Sequence, residues 1–479
     1  MFNSKDSANF ITLSGISLNF LFSPRWISYI FESSNKITLH EIEVLLQVKI
    51  GILEDKKVTV GNIATAIKDL GIEPKIAEQI IQTIDEKEVE RHCGNKYNRG
   101  NGEQRYQRAG TSDREPVTAI GKLKIKLHKI KDKETNEIFK PVKKVVELEG
   151  KRVYQEDISM IAVELATKMT YRDTVKEGKF ITKDFPSPCT VNYRVIEYGE
   201  RIQELLTEKT KNKSIDTVFS DGTKTHSQEK DMEKNEINVV LGVENNKKVI
   251  LGVKVNESWN NMAKELRRVK AIDDEAVCIG DGEKEMRYAF TTDERLYQLD
   301  LVHAASITGY KLWEDRIMSL EDRNTVVGKL QSTLYSLKNS VEKHFEDKNT
   351  GALKSRIDQT VAELKKMSKE LWKLGCRKTA KFIKDYSNSM VVFARFAVAG
   401  RRVPWNSNII ERLMGEISKR TKHKWMRWTT RGLETIINII LVRYCSEKNY
   451  EEFKNKMMKS ENLIFIRTEA KISSIRGEF

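Results

Sequence analysis

The sequence predicts an α+β multidomain protein that is mainly helical. Only 7 prolines interrupt the 479 residues, and 32% of the residues are charged. Most of these charged residues are Lys, Glu and Arg, which favour helical surfaces. Runs of β-branched and aromatic residues, typical of strands, concentrate between residues 213 and 303. At about 150 residues per domain, the length leaves room for roughly three domains.

The overall charge points to a polyanionic partner. The net charge is +15 and the pI is near 9.3, values that favour binding to nucleic acid or to an anionic membrane face. The apolar stretch from Phe10 to Phe22 is too short and too polar to span a bilayer, and no signal peptide is evident. We therefore expect a cytoplasmic protein, nucleoid-associated through DNA. Five scattered cysteines without C-x-x-C spacing predict neither a disulfide scaffold nor a zinc site.

Residues 1–92 are predicted to form a helical N-terminal region. Apolar residues from Ile37 to Leu53 recur at spacings of three and four. A helix from Val60 to Leu70, a turn at Gly71 and a helix from Lys75 to Ile84 follow. This arrangement fits a DNA-binding helix-turn-helix or an ordinary helical hairpin. The hairpin is favoured, because the second helix is not rich in Arg or Asn.

A basic linker and a small β region are predicted over residues 93–153. The stretch from Arg91 to Arg114 carries six arginines and lysines against two acids. The sequence then alternates strictly between basic and apolar residues, which indicates a strand with one basic face. The basic residues are Lys122, Lys124 and Lys126. This row could contact a DNA backbone or protect a sheet edge from aggregation.

Residues 154–212 are predicted to be helical again. Ser187 followed by Pro188 is a good helix-start signal. The helix that follows would offer Asn192 and Arg194 outward, as a DNA-binding helix-turn-helix requires. A purely structural helical layer is the alternative.

A mixed sheet is predicted for residues 213–303. A strand from Ile215 is expected to stop at Asp221, and the strand Ala276 to Gly280 is followed directly by Asp281. Between them lie a hairpin and a basic helix. Hairpin strands followed by alternating helix and strand are the pattern of an RNase H-like fold. Open α/β sheets present ligands at the carboxyl ends of strands, so the two aspartates could form a metal site or could be turn residues.

The rest of the chain is predicted to be helical. An all-α insertion spans residues 304–405, core helices with a candidate third acid, Glu411, span 406–445, and a C-terminal tail spans 446–479. Cations and tryptophans around these core helices have a composition suited to phosphate contact and base stacking, although the tryptophans could equally pack in the core. These candidate DNA-binding residues are Arg401, Arg402, Arg412, Lys419, Arg420, Lys424, Trp425 and Trp428.

Four motifs in order resemble a known family. They are SDGTK at Asp221, GDGEKEM at Asp281, the D-x-x-H of Asp300 and His303, and NSNIIERLMGEISKRTKHKW around Glu411. Residues 213–445 are thereby similar to the DDE transposases of Mutator-like bacterial and archaeal insertion sequences. The resemblance implies an RNase H-like core in which Asp221, Asp281 and Glu411 are catalytic and bind two Mg²⁺ or Mn²⁺ ions. It also implies binding to double-stranded DNA, at terminal inverted repeats and at the target, by a homodimer or larger assembly.

Within this interpretation, Asp300 and His303 support the site without binding the metal directly. His303 either tunes the site or packs against the strand end, and Asp300 is expected to make a structural hydrogen bond. Glu411 has a competing interpretation, because with Asn408 as N-cap it would occupy the N3 position of a capping box. Glu416 is then the alternative third acid. A domesticated DNA-binding protein and a stand-alone RNase H-like nuclease are the alternative functions.

Overall fold

The computed structural model describes the chain in segments and divides it into two compact units. The first unit comprises Met1–Leu165, Thr170–Val191 and Lys454–Phe479, and the second comprises Ala166–Met169 and Asn192–Phe453. Both contain helices and strands, as the predicted mixed α/β class requires. The described residues are 9–13, 16–33, 36–48, 59–94, 105–146, 153–244, 247–291, 293, 296–422, 426–458 and 464–465.

The first unit begins with strands, where the sequence predicted helix. Strand β2 pairs antiparallel with β1, with β3 and with β14. The helical expectation is wrong for residues 37–48, because residues 36–48 pair with β2; residues 49–53 of that prediction lie outside the described residues. Short apolar runs fit the periods of both a helix and a strand, and here the pairing with β2 makes the segment a strand. The strands are β1 (Asn9–Leu13), β2 (Ile16–Ser33), β3 (Lys36–Val48) and β14 (Ile464–Phe465).

Two helices follow, α1 (Val60–Asp69) and α2 (Ile72–Cys93), as predicted. Gly71 joins them with a left-handed backbone, φ 55°, which glycine adopts at little cost. Apolar residues of α2 pack against the sheet described next, so α2 belongs to a core. This core contains Ile84, Leu123, Ile125, Leu127 and Val142.

The predicted basic linker is partly a strand. β4 starts at Tyr106 and pairs antiparallel with β7, and β7 pairs with β8. The predicted alternation is present, since Leu123, Ile125 and Leu127 are buried while Lys124 and Lys126 are exposed. Lys122 instead pairs with Glu115. The elements are β4 (Tyr106–Arg114), β5 (Val117–Thr118), β6 (Gly121–Lys122), β7 (Ile125–Asp132), β8 (Ile138–Phe139) and a 3₁₀ turn (Pro141–Lys144).

Helices α3 (Glu156–Ala166), α4 (Tyr171–Gly178) and α5 (Pro188–Thr210) then form, and α5 starts at Pro188 as predicted. The outward position expected of Arg194 is wrong. Arg194 is 5% exposed and its Nη1 donates to Glu197 Oε2 at 2.7 Å. Tyr193 is the exposed side chain on this turn.

The second unit is built on a five-stranded sheet of order β11-β10-β9-β12-β13. β9, β10 and β11 are antiparallel, whereas β12 runs parallel to β9 and β13 parallel to β12. Helices α6 and α7 flank β12 in the chain. The bounds are β9 (Ile215–His226), β10 (Lys234–Glu244), β11 (Lys247–Val255), α6 (Trp259–Arg268), β12 (Ile272–Gly280), α7 (Lys284–Phe290) and β13 (Tyr297–Leu299).

One predicted strand end is wrong. β9 does not stop at Asp221 but continues to His226, because this extension pairs with β10. The last strand of the sheet ends at Leu299, because Asp300 caps the next helix by accepting from the backbone N–H groups of Val302 and His303.

The remaining chain of this unit is helical, as expected for the insertion and the core helices. Within the part of the chain that the structure describes, no helix is long and apolar enough to cross a membrane. The helices are α8 (Leu301–Asp315), α9 (Leu320–Glu346), α10 (Thr350–Lys373), α11 (Arg377–Tyr386), a 3₁₀ turn (Ser389–Val391), α12 (Val392–Val398), α13 (Asn408–Thr421), α14 (Thr430–Cys445) and α15 (Glu447–Met458).

Candidate active site

Two neighbouring strands bring Asp221 and Asp281 side by side. Asp221 lies within β9, where it pairs with Val239 of β10, and Asp281 directly follows β12. In the parallel pairing of β9 with β12, Ile279 lies opposite Phe219. Asp281 and Asp221 each follow two residues later, so the same register places them side by side. The mixed sheet therefore supplies the two carboxylates that the sequence predicted at one place.

Steric crowding explains why a glycine follows each aspartate. At Gly222 a Cβ atom would lie 3.2 Å from Asn238 Oδ1 and 3.3 Å from a ring carbon of Trp259. Gly282 has a φ of +98°, and a Cβ there would lie 3.0 Å from Leu299 Cδ1. A larger residue at either position would therefore crowd these neighbouring side chains, and at Gly282 it would also strain the backbone.

The loop that carries Asp281 is held from two sides. The Gly282 N–H donates to the Tyr297 hydroxyl at 2.9 Å, and the Tyr386 hydroxyl of α11 donates to the Gly282 carbonyl at 3.1 Å. Asp281 Oδ1 also accepts from the Glu283 N–H at 3.0 Å. The helical insertion thus contributes directly to the position of this carboxylate.

Asp300 joins three elements around the site. Its N–H donates to the Gly280 carbonyl at the end of β12 at 3.0 Å. Oδ1 accepts from the N–H groups of Val302 and His303, at 2.6 and 3.0 Å. Oδ2 accepts from the Ser407 N–H and hydroxyl, at 2.5 and 2.8 Å. Asp300 is fully buried, and these bonds fix the starts of α8 and α13 relative to the sheet.

Glu411 is positioned by Ser407 and His303. The Ser407 hydroxyl lies 2.9 Å from Glu411 Oε1 and 2.8 Å from Asp300 Oδ2, so the two carboxylates share its single proton. Glu411 Oε1 also accepts from His303 Nε2 at 3.1 Å. A carboxylate can only accept, so Nε2 carries the proton in this contact. Both bonds fall on Oε1, which leaves Oε2 available as a ligand.

The capping-box interpretation of Glu411 is wrong. The N-cap of α13 is Ser407 rather than Asn408, so Glu411 lies one residue beyond the capping-box position. The N–H group of Ser407, which a capping-box glutamate would bind, donates to Asp300 instead. Glu411 is therefore held by side chains of the site and not by the backbone of its own helix.

The electrostatics show that these groups act on one another. Burial, followed by the charge of Asp281, raises the pKa of Asp221 to about 7, with a smaller contribution from Glu411. The Gly222 N–H and His303 lower the same pKa. Like charges in a partly buried place disfavour ionisation, and a bound cation relieves exactly this repulsion. Burial, with Asp281 next, also raises the pKa of Glu283.

The donor chemistry of this cluster fits a divalent cation such as Mg²⁺ or Mn²⁺. Asp300, His303 and Glu411 offer ligand atoms that all lie within 4.8 Å of one another. The Asp300 oxygens, however, already accept from three backbone N–H groups and lie within hydrogen-bond distance of the Ser407 hydroxyl, so this residue positions its neighbours. Asp221, Asp281 and Glu411 carry the hard oxygen ligands that these ions prefer, and the charges of Asp281 and Glu411 act on Asp221. Among the described residues, however, their oxygens do not form as compact a group as those of Asp300, His303 and Glu411.

Glu416 lies elsewhere on α13. Its Oε1 pairs with Lys419 Nζ at 2.5 Å on the same helix. Five residues separate it from Glu411, which places the two side chains on different faces of the helix. The structure therefore brings Glu411, and not Glu416, to His303.

Several residues proposed for DNA contact are structural. Trp428 is 4% exposed, and its Nε1 donates to the Thr421 carbonyl. Arg420 is 3% exposed, donates to the Ala166 carbonyl and lies over the Trp428 ring at 4.7 Å. Arg401 donates to Thr217 Oγ1. The expectation that Trp428 and Arg420 face DNA is wrong, because both are packed in the core.

The other candidate DNA-binding residues are exposed or lie outside the residues that the structure describes. Arg412 and Lys419 are exposed on α13. Arg402 is exposed, although it pairs with Glu346 at 3.2 Å. Lys424 and Trp425 fall outside the described residues.

Two residues of the site were not singled out from the sequence. In the sequence, Ser407 stands out only as part of the motif NSNIIERLMGEISKRTKHKW, and Glu283 only as part of the motif GDGEKEM. The signal for Ser407 was its place four residues before Glu411, one helical turn away. For Glu283 the signal was its closeness in sequence to Asp281.

Comparison with models of protein families and with curated proteins finds no significant match to this chain. Fold and site geometry therefore carry the functional argument.

Proposed function

We propose that this protein is a DDE-type transposase that binds the ends of an insertion sequence and catalyses metal-dependent DNA cleavage and strand transfer. The observation that carries the proposal is the convergence of three acids from separate parts of the chain. β9 and β12 supply Asp221 and Asp281, and α13 supplies Glu411 after an intervening helical insertion.

The topology supports an RNase H-like core for this proposal. Three antiparallel strands are followed by two parallel ones, with the order β11-β10-β9-β12-β13. The two aspartates lie on the adjacent central strands. The third acid follows on a helix after the all-α insertion, in the order that the resemblance implies.

Each residue has a defined task in the proposed reaction. Divalent ions held by Asp221, Asp281 and Glu411 would activate a water or a 3′-hydroxyl and stabilise the leaving oxygen of a phosphodiester. The contacts of Ser407 and His303 with Glu411 Oε1 fix the direction of that carboxylate. Preorganised ligands of this kind avoid reorganisation during the reaction.

Exposed cations provide the proposed DNA contacts. Arg412 directly follows Glu411 and is exposed, as is Lys419 on the same helix. In the first unit, Lys124 and Lys126 are exposed on the basic face of the small β region. Phosphate contacts by such residues make affinity fall as salt concentration rises.

The proposal is tested with the full-length protein and linear DNA that contains the coding region with both natural flanks. With Mg²⁺ we expect cuts at the two element boundaries that leave 3′-hydroxyl ends, and joining of these ends to added target DNA. EDTA or Asp281→Asn should abolish both products. Cuts without preference for the boundaries would instead identify a nuclease, and boundary binding without cuts would identify a DNA-binding protein without chemistry.

A further inference from the structure

Helix α8 leads away from the candidate active site with one exposed face. Val302, Ser306, Tyr310 and Trp313 are all exposed and follow one another at spacings of four, four and three residues. Residues at these spacings lie on one side of a helix. Tyr310 is 58% and Trp313 55% exposed, although aromatic rings of this size are usually buried.

The two rings lie beside each other. Their centroids are 5.7 Å apart, and the ring planes differ by 31°. The exposed face begins at Val302. The next residue, His303, makes a hydrogen bond to Glu411. At 1.5 Å rise per residue, Tyr310 and Trp313 lie roughly 10 to 15 Å along the helix from His303.

Hydrogen bonds hold helix α11 at both ends, to the end of α8 and to the loop of Asp281. At its start, the Asp315 carboxylate at the end of α8 accepts from the N–H groups of Lys378 and Thr379, both at 3.0 Å. At its end, the Tyr386 hydroxyl bonds the Gly282 carbonyl beside Asp281. α8 and α11 therefore run antiparallel between the candidate site and the far end of the insertion.

The solvent-facing side of α11 is basic. Arg377, Lys378, Lys381 and Lys384 are exposed, and Asp385 is the acid of this helix. The Arg377 guanidinium lies over the ring of Trp372, which is 49% exposed, at 4.2 Å. Exposed aromatics on one helix and exposed cations on its neighbour are the combination by which proteins hold single-stranded nucleic acid.

We propose that α8 and α11 form a track for an unpaired DNA strand that leads away from the cleaved phosphodiester. Bases stack on Tyr310 and Trp313, and the backbone phosphates lie against Lys381 and Lys384. The strand must be unpaired, because the ring faces of bases in a duplex are covered by their neighbours. A protein partner fits less well, since lysine is depleted in protein interfaces. This inference rests on the proposed function and specifies the substrate conformation of the same site.

The test measures DNA binding by the full-length protein in EDTA, so that no cleavage occurs. A fluorescent duplex is compared with the same duplex carrying a single-stranded tail of about 10 nucleotides, within the usual site sizes of about 4 to 16. Tyr310→Ser/Trp313→Ser should weaken binding of the tailed DNA by about tenfold or more, at ~1–3 kcal/mol per stacked base. Binding of the blunt duplex should stay unchanged. Tyr444→Ser, at an exposed aromatic of α14 that has no proposed role in DNA binding, is the control.

A second pair of variants tests the phosphate contacts. Lys381→Gln/Lys384→Gln should reduce the slope of log affinity against log salt for the tailed DNA by about 1.4, at ~0.7 per phosphate on a single strand. Lys366→Gln/Lys369→Gln removes two exposed lysines at the same spacing from α10 and should leave the slope unchanged.

Four outcomes overturn the inference. Equal losses for tailed and blunt DNA would mean a duplex surface, and unchanged DNA binding with a smaller sedimenting mass would mean contact with a second copy. Unchanged tail binding in both double variants, with boundary cleavage intact in the parent protein, would reject the track but leave the transposase proposal standing. A parent that neither binds nor cleaves DNA would reject both.

Discussion

Asp221→Asn is expected to raise the melting temperature in the absence of divalent ions and to abolish DNA cleavage. Burial and the Asp281 charge raise the pKa of Asp221 to about 7, so the ionised carboxylate destabilises the folded protein. At ~1.36 kcal/mol per pKa unit, the difference from the ordinary value of about 3.9 sets a ceiling of about 4 kcal/mol. Asparagine keeps the shape and removes the charge.

The stabilisation by Asp221→Asn should increase as the pH rises. Because the pKa of Asp221 is raised to about 7 in the folded state, protonation stabilises the fold. This contribution is fully present below the ordinary pKa and is lost as pH rises through 7. The gain of Asp221→Asn over the parent should therefore be largest at pH 8 and vanish near pH 4.

Thermal unfolding in EDTA at these two pH values measures the gain. Asp216→Asn is the control, because Asp216 lies on the same strand with its side chain 59% exposed and paired with Arg401. It should not raise the melting temperature. A parent that is as stable as Asp221→Asn at pH 8 would contradict the repulsion between the acids.

Glu411→Gln is expected to give a folded protein that binds DNA ends but does not cut them. The amide oxygen can still accept from Ser407 and His303, so the positions of α8 and α13 are kept. The negative charge that a divalent cation needs is lost. Removal of a group that stabilises charge in the transition state typically costs about 10² to 10³ in rate, and we expect a loss of at least this size.

Glu416→Gln is the matched control for that variant. Glu416 lies on the same helix in a surface pair with Lys419, and such pairs contribute about 0 to 1 kcal/mol. Cleavage by this variant should stay within a few-fold of the parent rate. If Glu416→Gln is inactive and Glu411→Gln is active, the third acid is misassigned. If both are active, the metal-site account itself fails.

The elements of the second unit could be predicted because their local patterns agree with their environment. The buried end of β12, residues 276–280, is a short apolar run, and the insertion shows long helical periodicity. The closeness of Asp221 and Asp281 followed from strands that end at one sheet edge. The early end predicted for β9 at Asp221 was wrong, because pairing with β10 is a tertiary contact.

Other features depend on contacts far apart in the chain and could not be predicted. Trp428 and Arg420 have the composition of a DNA-binding surface, yet they pack on each other in the core. The role of Ser407 depends on Asp300, which lies 107 residues earlier. In residues 36–48 the spacing of the apolar residues also fits a helix, but these residues pair with β2 and form a strand. In each case a contact that the local pattern does not contain decides the outcome.

The most direct test of the proposed metal site is the melting temperature with and without Mg²⁺ in the parent, Asp281→Asn and Asp274→Asn. Asp274 is an exposed residue of β12 and serves as the control. A ligand that binds only the folded state stabilises it by about 2.7 kcal/mol at 100 times its dissociation constant. We expect Mg²⁺ to raise the melting temperature of the parent and of Asp274→Asn, and to have little effect on Asp281→Asn. An equal rise in all three proteins would show that the ions bind elsewhere and would contradict the account.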